Sequence, residues 1–185
     1  MKHALVELSR KAPQELTYGT AGVGSSAHLA GELLQKHLEI NLLHVPYKGA
    51  GAASQGLLAG TVDVMISGLP AANNLLNDEN IRLFAIIAGE RAPQRSDTPT
   101  VNEDSPRFDL TVWLGLAAPS STAPDIVQRL AERMKEAVEM PEVKQKLLDL
   151  GVSPKFEAGD EVLLKARKEL KDFNQAIDAA GIERR

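Results

Sequence analysis

Leu16-Thr17-Tyr18-Gly19-Thr20-Ala21-Gly22-Val23-Gly24-Ser25-Ser26 is the stretch on which the reading of this chain turns. A short β-like run, Leu16 to Tyr18, enters a loop with three glycines. Ser25-Ser26-Ala27-His28 then opens a segment with apolar residues at Leu29, Ala30, Leu33 and Leu34. That three- and four-residue spacing marks one helix face and predicts a helix through Leu38. Strand, glycine turn and helix form the repeating unit of an α/β fold, and the unit recurs downstream. Leu42 to Val45 predicts the next strand, stopped by Pro46, and Ala50 to Leu58 the next helix, stopped by Gly60. Val62 to Ile66 predicts a buried strand, Pro70 to Leu76 a short helix, and Ile81 to Ala88 an almost wholly apolar strand. Unbroken apolar runs suit a sheet covered on both faces.

Residues 89–109, rich in Pro, Asp, Ser and Thr, read as a connecting segment. Leu110 to Ala118, with the only tryptophan at Trp113, predicts another strand. Pro124 begins a long helix to about Met140, with Thr122 as its cap and a stripe of Ile126, Val127, Leu130, Met134 and Val138. A shorter helix runs from Pro141 to Gly151. Val152 to Phe156 reads as an edge strand, because Pro154 removes one ladder donor. Asp160 to Ala180 closes the chain as a helix with Val162, Leu163, Ala166, Leu170, Phe173 and Ile177 on one face. This order predicts an α/β fold with mainly parallel sheets and helices on both faces.

Composition narrows the function. A hydrophobic share of 43% with 25% charged residues is an ordinary globular balance. A net charge of -4 argues against a nucleic-acid partner, which needs clustered Lys and Arg. The absence of cysteine excludes disulfides, zinc thiolates and thiol nucleophiles. No run approaches the ~20 apolar residues of a membrane span. The opening Met1 to Leu8 reads as a helix and not a signal peptide, because Glu7 and Arg10 break its apolar run.

Two loops carry the chemistry. In Gly19–Ser26, Gly19, Gly22 and Gly24 let the backbone turn tightly, Thr20, Ser25 and Ser26 supply hydroxyls, and Val23 contributes backbone. Free amides at the following helix start make a ready anion site. The loop lacks the lysine of the phosphate-cradling motif and the spacing of the dinucleotide fingerprint, so it predicts no nucleotide cofactor. A tight turn capped by Ser25 is the alternative reading. In the second loop, Val45-Pro46-Tyr47-Lys48-Gly49-Ala50-Gly51, Lys48 adds charge beside the amides of Gly49 and beyond, and Tyr47 offers a flat wall with a polar tip. The alternative here is an exposed turn. In a parallel sheet both loops lie at the carboxyl ends of their strands, where open α/β sheets bind ligands.

The remaining candidates are structural. His28, in a helix, and His44, in an apolar strand, read as packed histidines. No spacing suggests a metal site. Ser25 or Ser26 as the nucleophile of a small hydrolase would want a Gly-x-Ser-x-Gly elbow, and the second glycine is absent. Ser67-Gly68-Leu69-Pro70 reads as a turn at the same sheet edge.

At these loops the chain resembles the tripartite tricarboxylate transporter receptor family, also called the Bug family of extracytoplasmic solute-binding proteins. The resemblance runs through Leu16 to Ser26, His28-Leu29-Ala30-Gly31-Glu32-Leu33, His44-Val45-Pro46-Tyr47-Lys48-Gly49, and Leu57 to Met65. It continues in Pro99-Thr100-Val101-Asn102-Glu103 and Trp113 to Pro119. It implies a type II periplasmic binding protein fold of two α/β lobes with a ligand cleft, and no enzyme activity. By resemblance residues 13–105 form the central lobe, 110–185 return to an incomplete first lobe, and 1–12 are the helix before them. Relatives of this kind are periplasmic and pass organic acids, amino acids or similar small molecules to membrane transporter subunits. The resemblance further implies that the chain lacks the N-terminal part of that fold. A sheet left incomplete favours homo-oligomers, so a non-binding, self-associating remnant is the alternative function.

Overall fold

The computed structural model describes residues 6, 7, 9, 16–104 and 112–180. Its centre is a three-stranded parallel sheet of β1 (Thr17–Thr20), β2 (Leu43–Pro46) and β3 (Val64–Met65), in the order β2-β1-β3. Tyr18 stands opposite both His44 and Val64, so β1 is central, and Tyr18 and Thr20 are fully buried. Asp63 closes the entry to β3. Its carboxylate accepts from the Thr17 N–H (2.8 Å) and hydroxyl (2.7 Å), and its own N–H donates to Thr17 Oγ1 (3.0 Å). These bonds replace a ladder rung, so the predicted strand from Val62 starts only at Val64.

The helix α1 (Ser26–Leu38) begins where expected, because the Ser25 side chain accepts the His28 N–H. Its inner face buries His28, Ala30, Gly31, Leu34 and Gln35. Gly31 sits over Tyr18: a Cβ built there would lie 2.5 Å from the tyrosine ring. Tyr18, Ile40 and Leu42 form the core with Val6, Leu16, Leu38, Val64 and Ile66 around them. The Gln35 side chain accepts the Leu42 N–H and so seals the chain's return into β2. After β2 comes α2 (Ala50–Leu58), ended at Ala59-Gly60 as expected, then β3 and α3 (Leu69–Asn73). α3 is shorter than predicted, its last turn loosening through Asn77. Val101–Asp104 forms α4, and the long helices are α5 (Pro124–Glu139), α6 (Pro141–Asp149) and α7 (Gly159–Ala180).

Three predicted strands are absent among the described residues. Ile81 to Ala88 makes only an isolated bridge, Ile86 to Thr100. Residues 112–118 and 152–156 are irregular, and Leu110 and Thr111 lie outside the described residues. A β-run forms a strand only when a neighbour completes its hydrogen bonds. Among the described residues Ile81 to Ala88 gains only that bridge and the other two runs gain no strand partner, and Leu114 and Leu116 are 81% and 80% exposed. The α5 stripe shares this fate: Ile126, Val127 and Leu130 are exposed and cover no core. Thr122 is not its cap either. Ala123 holds that place without a side-chain bond, and Pro124 opens the helix. α7 packs on α1, and Trp113 Nε1 donates to its Glu169 (2.7 Å).

Candidate ligand-binding site

Parallel pairing of β1 and β2 sends both glycine turns to one sheet edge. They are bonded to each other there: the Tyr47 N–H donates to Thr20 O (3.0 Å) and the Gly49 N–H to Ala21 O (3.1 Å). Gly22 holds φ at +132°, a region side-chain-bearing residues avoid, and a Cβ on it would lie 3.1 Å from the Tyr47 carbonyl oxygen. The turn therefore requires glycine both for its dihedral and for its closeness to the second loop.

Much of the polar inventory expected to face a ligand is engaged within the protein. The Gly22 N–H donates to Thr20 Oγ1 (3.2 Å), the Ser25 N–H to Gly22 O (3.2 Å), and the Gly24 N–H to His28 Nδ1 (3.1 Å). Thr20 is buried, its hydroxyl 2.7 Å from His44 Nε2. Ser25 Oγ caps α1. Tyr47 turns inward: its hydroxyl meets Thr61 Oγ1 (3.0 Å) and its ring lies against Gly19 and Gly56. The expected polar tip is thus occupied, and the ring serves as packing. Val23, Gly24, Ser26 and Lys48 are exposed on the open side. The Ser26 and Ala27 N–H groups, in the first turn of α1, have no acceptor among the described residues, as helix geometry dictates. The sequence reading missed Ala27 as a donor, although its place two residues after the cap marks it.

Under the loop lies a buried polar cluster that the sequence reading treated as two separate packed histidines. His28 and His44 stack with ring centroids 4.0 Å apart and planes 13° from parallel. Tyr18 tilts against His44 at 4.8 Å and donates to Glu32 Oε1 (2.5 Å). Burial, then the bond to Glu32 and its charge, push the Tyr18 hydroxyl far above the usual phenol range. Burial and the neighbouring His28 hold His44 below the usual imidazole range, against the smaller pull of Glu32. Packing and positioning are what these rings do. The Ser25 and His28 pair of the serine hydrolase reading is not assembled, because the Ser25 oxygen accepts a backbone amide and His28 Nδ1 accepts from Gly24.

Among the described residues no group of three His, Asp or Glu side chains could hold a metal, and no helix is long and apolar enough to cross a membrane. An open groove of about 530 Å³ lies elsewhere, between α3, the Pro93–Arg95 turn and α6. It includes none of the loop residues. The loops rather than this groove are the candidate site, because they bring unpaired amides and a cation to the carboxyl end of the sheet.

The sequence model for the tripartite tricarboxylate transporter family receptor matches residues 2–182, and the chain belongs to that family. A curated relative, the UPF0065 protein in the clcB-clcD intergenic region of Pseudomonas knackmussii, is 38% identical over 135 residues. The match covers 72% of this chain and 80% of that protein. Two solved structures superpose closely. One, described as R. palustris Rpa4515 with adipate, has a TM-score of 0.88 at 28% identity and covers 97% of this chain and 60% of its own. The other, MatC from Rhodopseudomonas palustris with bound malate, has a TM-score of 0.80 at 27% identity and covers 95% and 61%. The chain spans about half the length of other curated relatives it matches. Its fold is that of the periplasmic binding proteins, α/β with parallel strands, and its family are substrate-binding receptors rather than enzymes.

Proposed function

We propose that this chain forms part of the binding site for a small carboxylate in a periplasmic receptor, which delivers its ligand to membrane transporter subunits. One observation carries the reading. Two glycine turns are cross-bonded at the carboxyl ends of neighbouring parallel strands, one leading to the unpaired amides of Ser26 and Ala27 and the other carrying the exposed Lys48. Val23, Gly24 and Ser26 are exposed in the first of these turns. Two related structures, one with adipate and one with bound malate, favour a dicarboxylate. One helix start contributes about 0.3–1 kcal/mol to an anion, whereas micromolar binding needs about 8 kcal/mol. The remainder must come from further hydrogen bonds in a site closed from water, and so from a surface facing these loops.

Titration calorimetry of the full chain against adipate, malate and a tricarboxylate tests the reading. Lys48→Ala should weaken binding roughly twofold to fivefold, the range of one exposed ion pair. Gly22→Val should abolish it. Equal affinity in the parent and both variants, or no binding of any acid, refutes the site.

A second reading, self-association, is favoured by the exposure of Val112, Leu114, Leu116, Leu164 and Leu170, since soluble monomers seldom leave such apolar surface uncovered. Light scattering separates the two: a ligand-free monomer counts against it.

A further inference from the structure

The stacked imidazoles sit directly beneath the proposed ligand loop, and one of them holds its glycine end. His28 Nδ1 accepts the Gly24 N–H at 3.1 Å, so that nitrogen carries no proton. The ring's hydrogen is then on Nε2, which faces Glu32 Oε1 at 3.8 Å. A second proton can enter only at Nδ1. There it would point at the Gly24 N–H, donor against donor, and the bond would break.

We propose that His28 is a positioning residue for the ligand loop, and that protonation of its Nδ1 releases the Gly24 end of the loop and lowers carboxylate affinity. This rests on the reading of the loop as the ligand site. The titratable groups facing His28 are His44 from β2, Tyr18 from β1 beyond it, and Glu32 from its own helix. α7 also packs on α1, the helix that carries His28. Glu32 lies beside His28, whereas burial and His28 itself disfavour the cationic form of His44, against the smaller pull of Glu32. Two cationic rings 4.0 Å apart would repel, so the pair accepts one proton at a time. Protonation leaves His44 able to bond Thr20 Oγ1, so the β1 end of the loop stays held while the Gly24 end is freed.

The test uses ¹⁵N-resolved NMR of the full chain without ligand, between pH 8 and pH 5, where imidazoles titrate. The Gly24 amide and the His28 ring nitrogens should move with one shared midpoint. In His28→Asn, whose amide oxygen replaces Nδ1 without titrating, the Gly24 amide should stay still. Calorimetry with adipate should show affinity falling roughly threefold to tenfold across that range in the parent, the value of one hydrogen bond. His28→Asn should keep only the part of the fall that adipate's own protonation gives both proteins. A Gly24 amide that ignores the His28 titration overturns the proposal, as does tighter binding at pH 5. If adipate and the other acids bind at no pH while Gly24 still follows His28, the loop device stands and the ligand assignment falls.

Discussion

Replacing Gly31 by alanine separates helix propensity from packing at the centre of this fold. Alanine favours a helix interior over glycine by about 0.8–1 kcal/mol, so propensity alone predicts a more stable protein. The structure predicts the opposite. The new Cβ would lie 2.5 Å from Tyr18 Cε2, 3.0 Å from Cζ and 3.1 Å from Ile66 Cδ1. Tyr18 has nowhere to go: it is fully buried, its hydroxyl is bonded to Glu32 and its ring packs on His44. Overpacking of this kind costs about 1–3 kcal/mol, and a contact this short sits at the upper end. The net loss should be about 2 kcal/mol, or roughly 4–8 °C in Tm for a chain of this size. Urea denaturation followed by circular dichroism measures it, with tyrosine fluorescence reporting on Tyr18. If Gly31→Ala is as stable as the parent or more so, the close approach of α1 to β1 described above is wrong.

Other expectations follow from the same geometry. Asp63→Asn should destabilise by about 1 kcal/mol or less, since it weakens two bonds to Thr17 on an exposed side chain. Those bonds hold the Asp63 carboxyl below the usual range, so their stabilisation is complete above the ordinary aspartate pKa near 4. It is lost as pH falls through the lowered folded value. Denaturation midpoints of parent and variant should therefore converge in acid. Glu103, chelated by Arg91 through two 2.6 Å contacts and by the Thr100 N–H, should titrate at about 2. Carboxyl ¹³C shifts check this, and Arg91→Ala should return the value toward that of an ordinary glutamate. Tyr47→Phe should leave carboxylate affinity unchanged while lowering stability, because its hydroxyl bonds Thr61 rather than facing the open side.

Local sequence was sufficient for most helix boundaries and the first turn, though not for the end of α3 or the cap of α5. Ser25 caps α1 through its own side chain, Gly60 ends α2 with φ at +69°, and Pro124 and Pro141 open α5 and α6, all decided within a few residues. The glycine loop between strand and helix was legible for the same reason, as was its pairing with the Tyr47-Lys48-Gly49 turn once β1 and β2 are taken as parallel neighbours. Strand formation was not local. Ile81 to Ala88 has the composition of a buried strand yet gains only one bridge, because a strand depends on a partner that its own residues do not specify. The same holds for which donors remain available to a ligand. Nothing in the order of residues says that His28 takes the Gly24 amide, or that Tyr47 turns toward Thr61. Those outcomes depend on how α1 and α2 dock on the sheet, since a side chain bonds whatever the packing brings within about 3 Å of it.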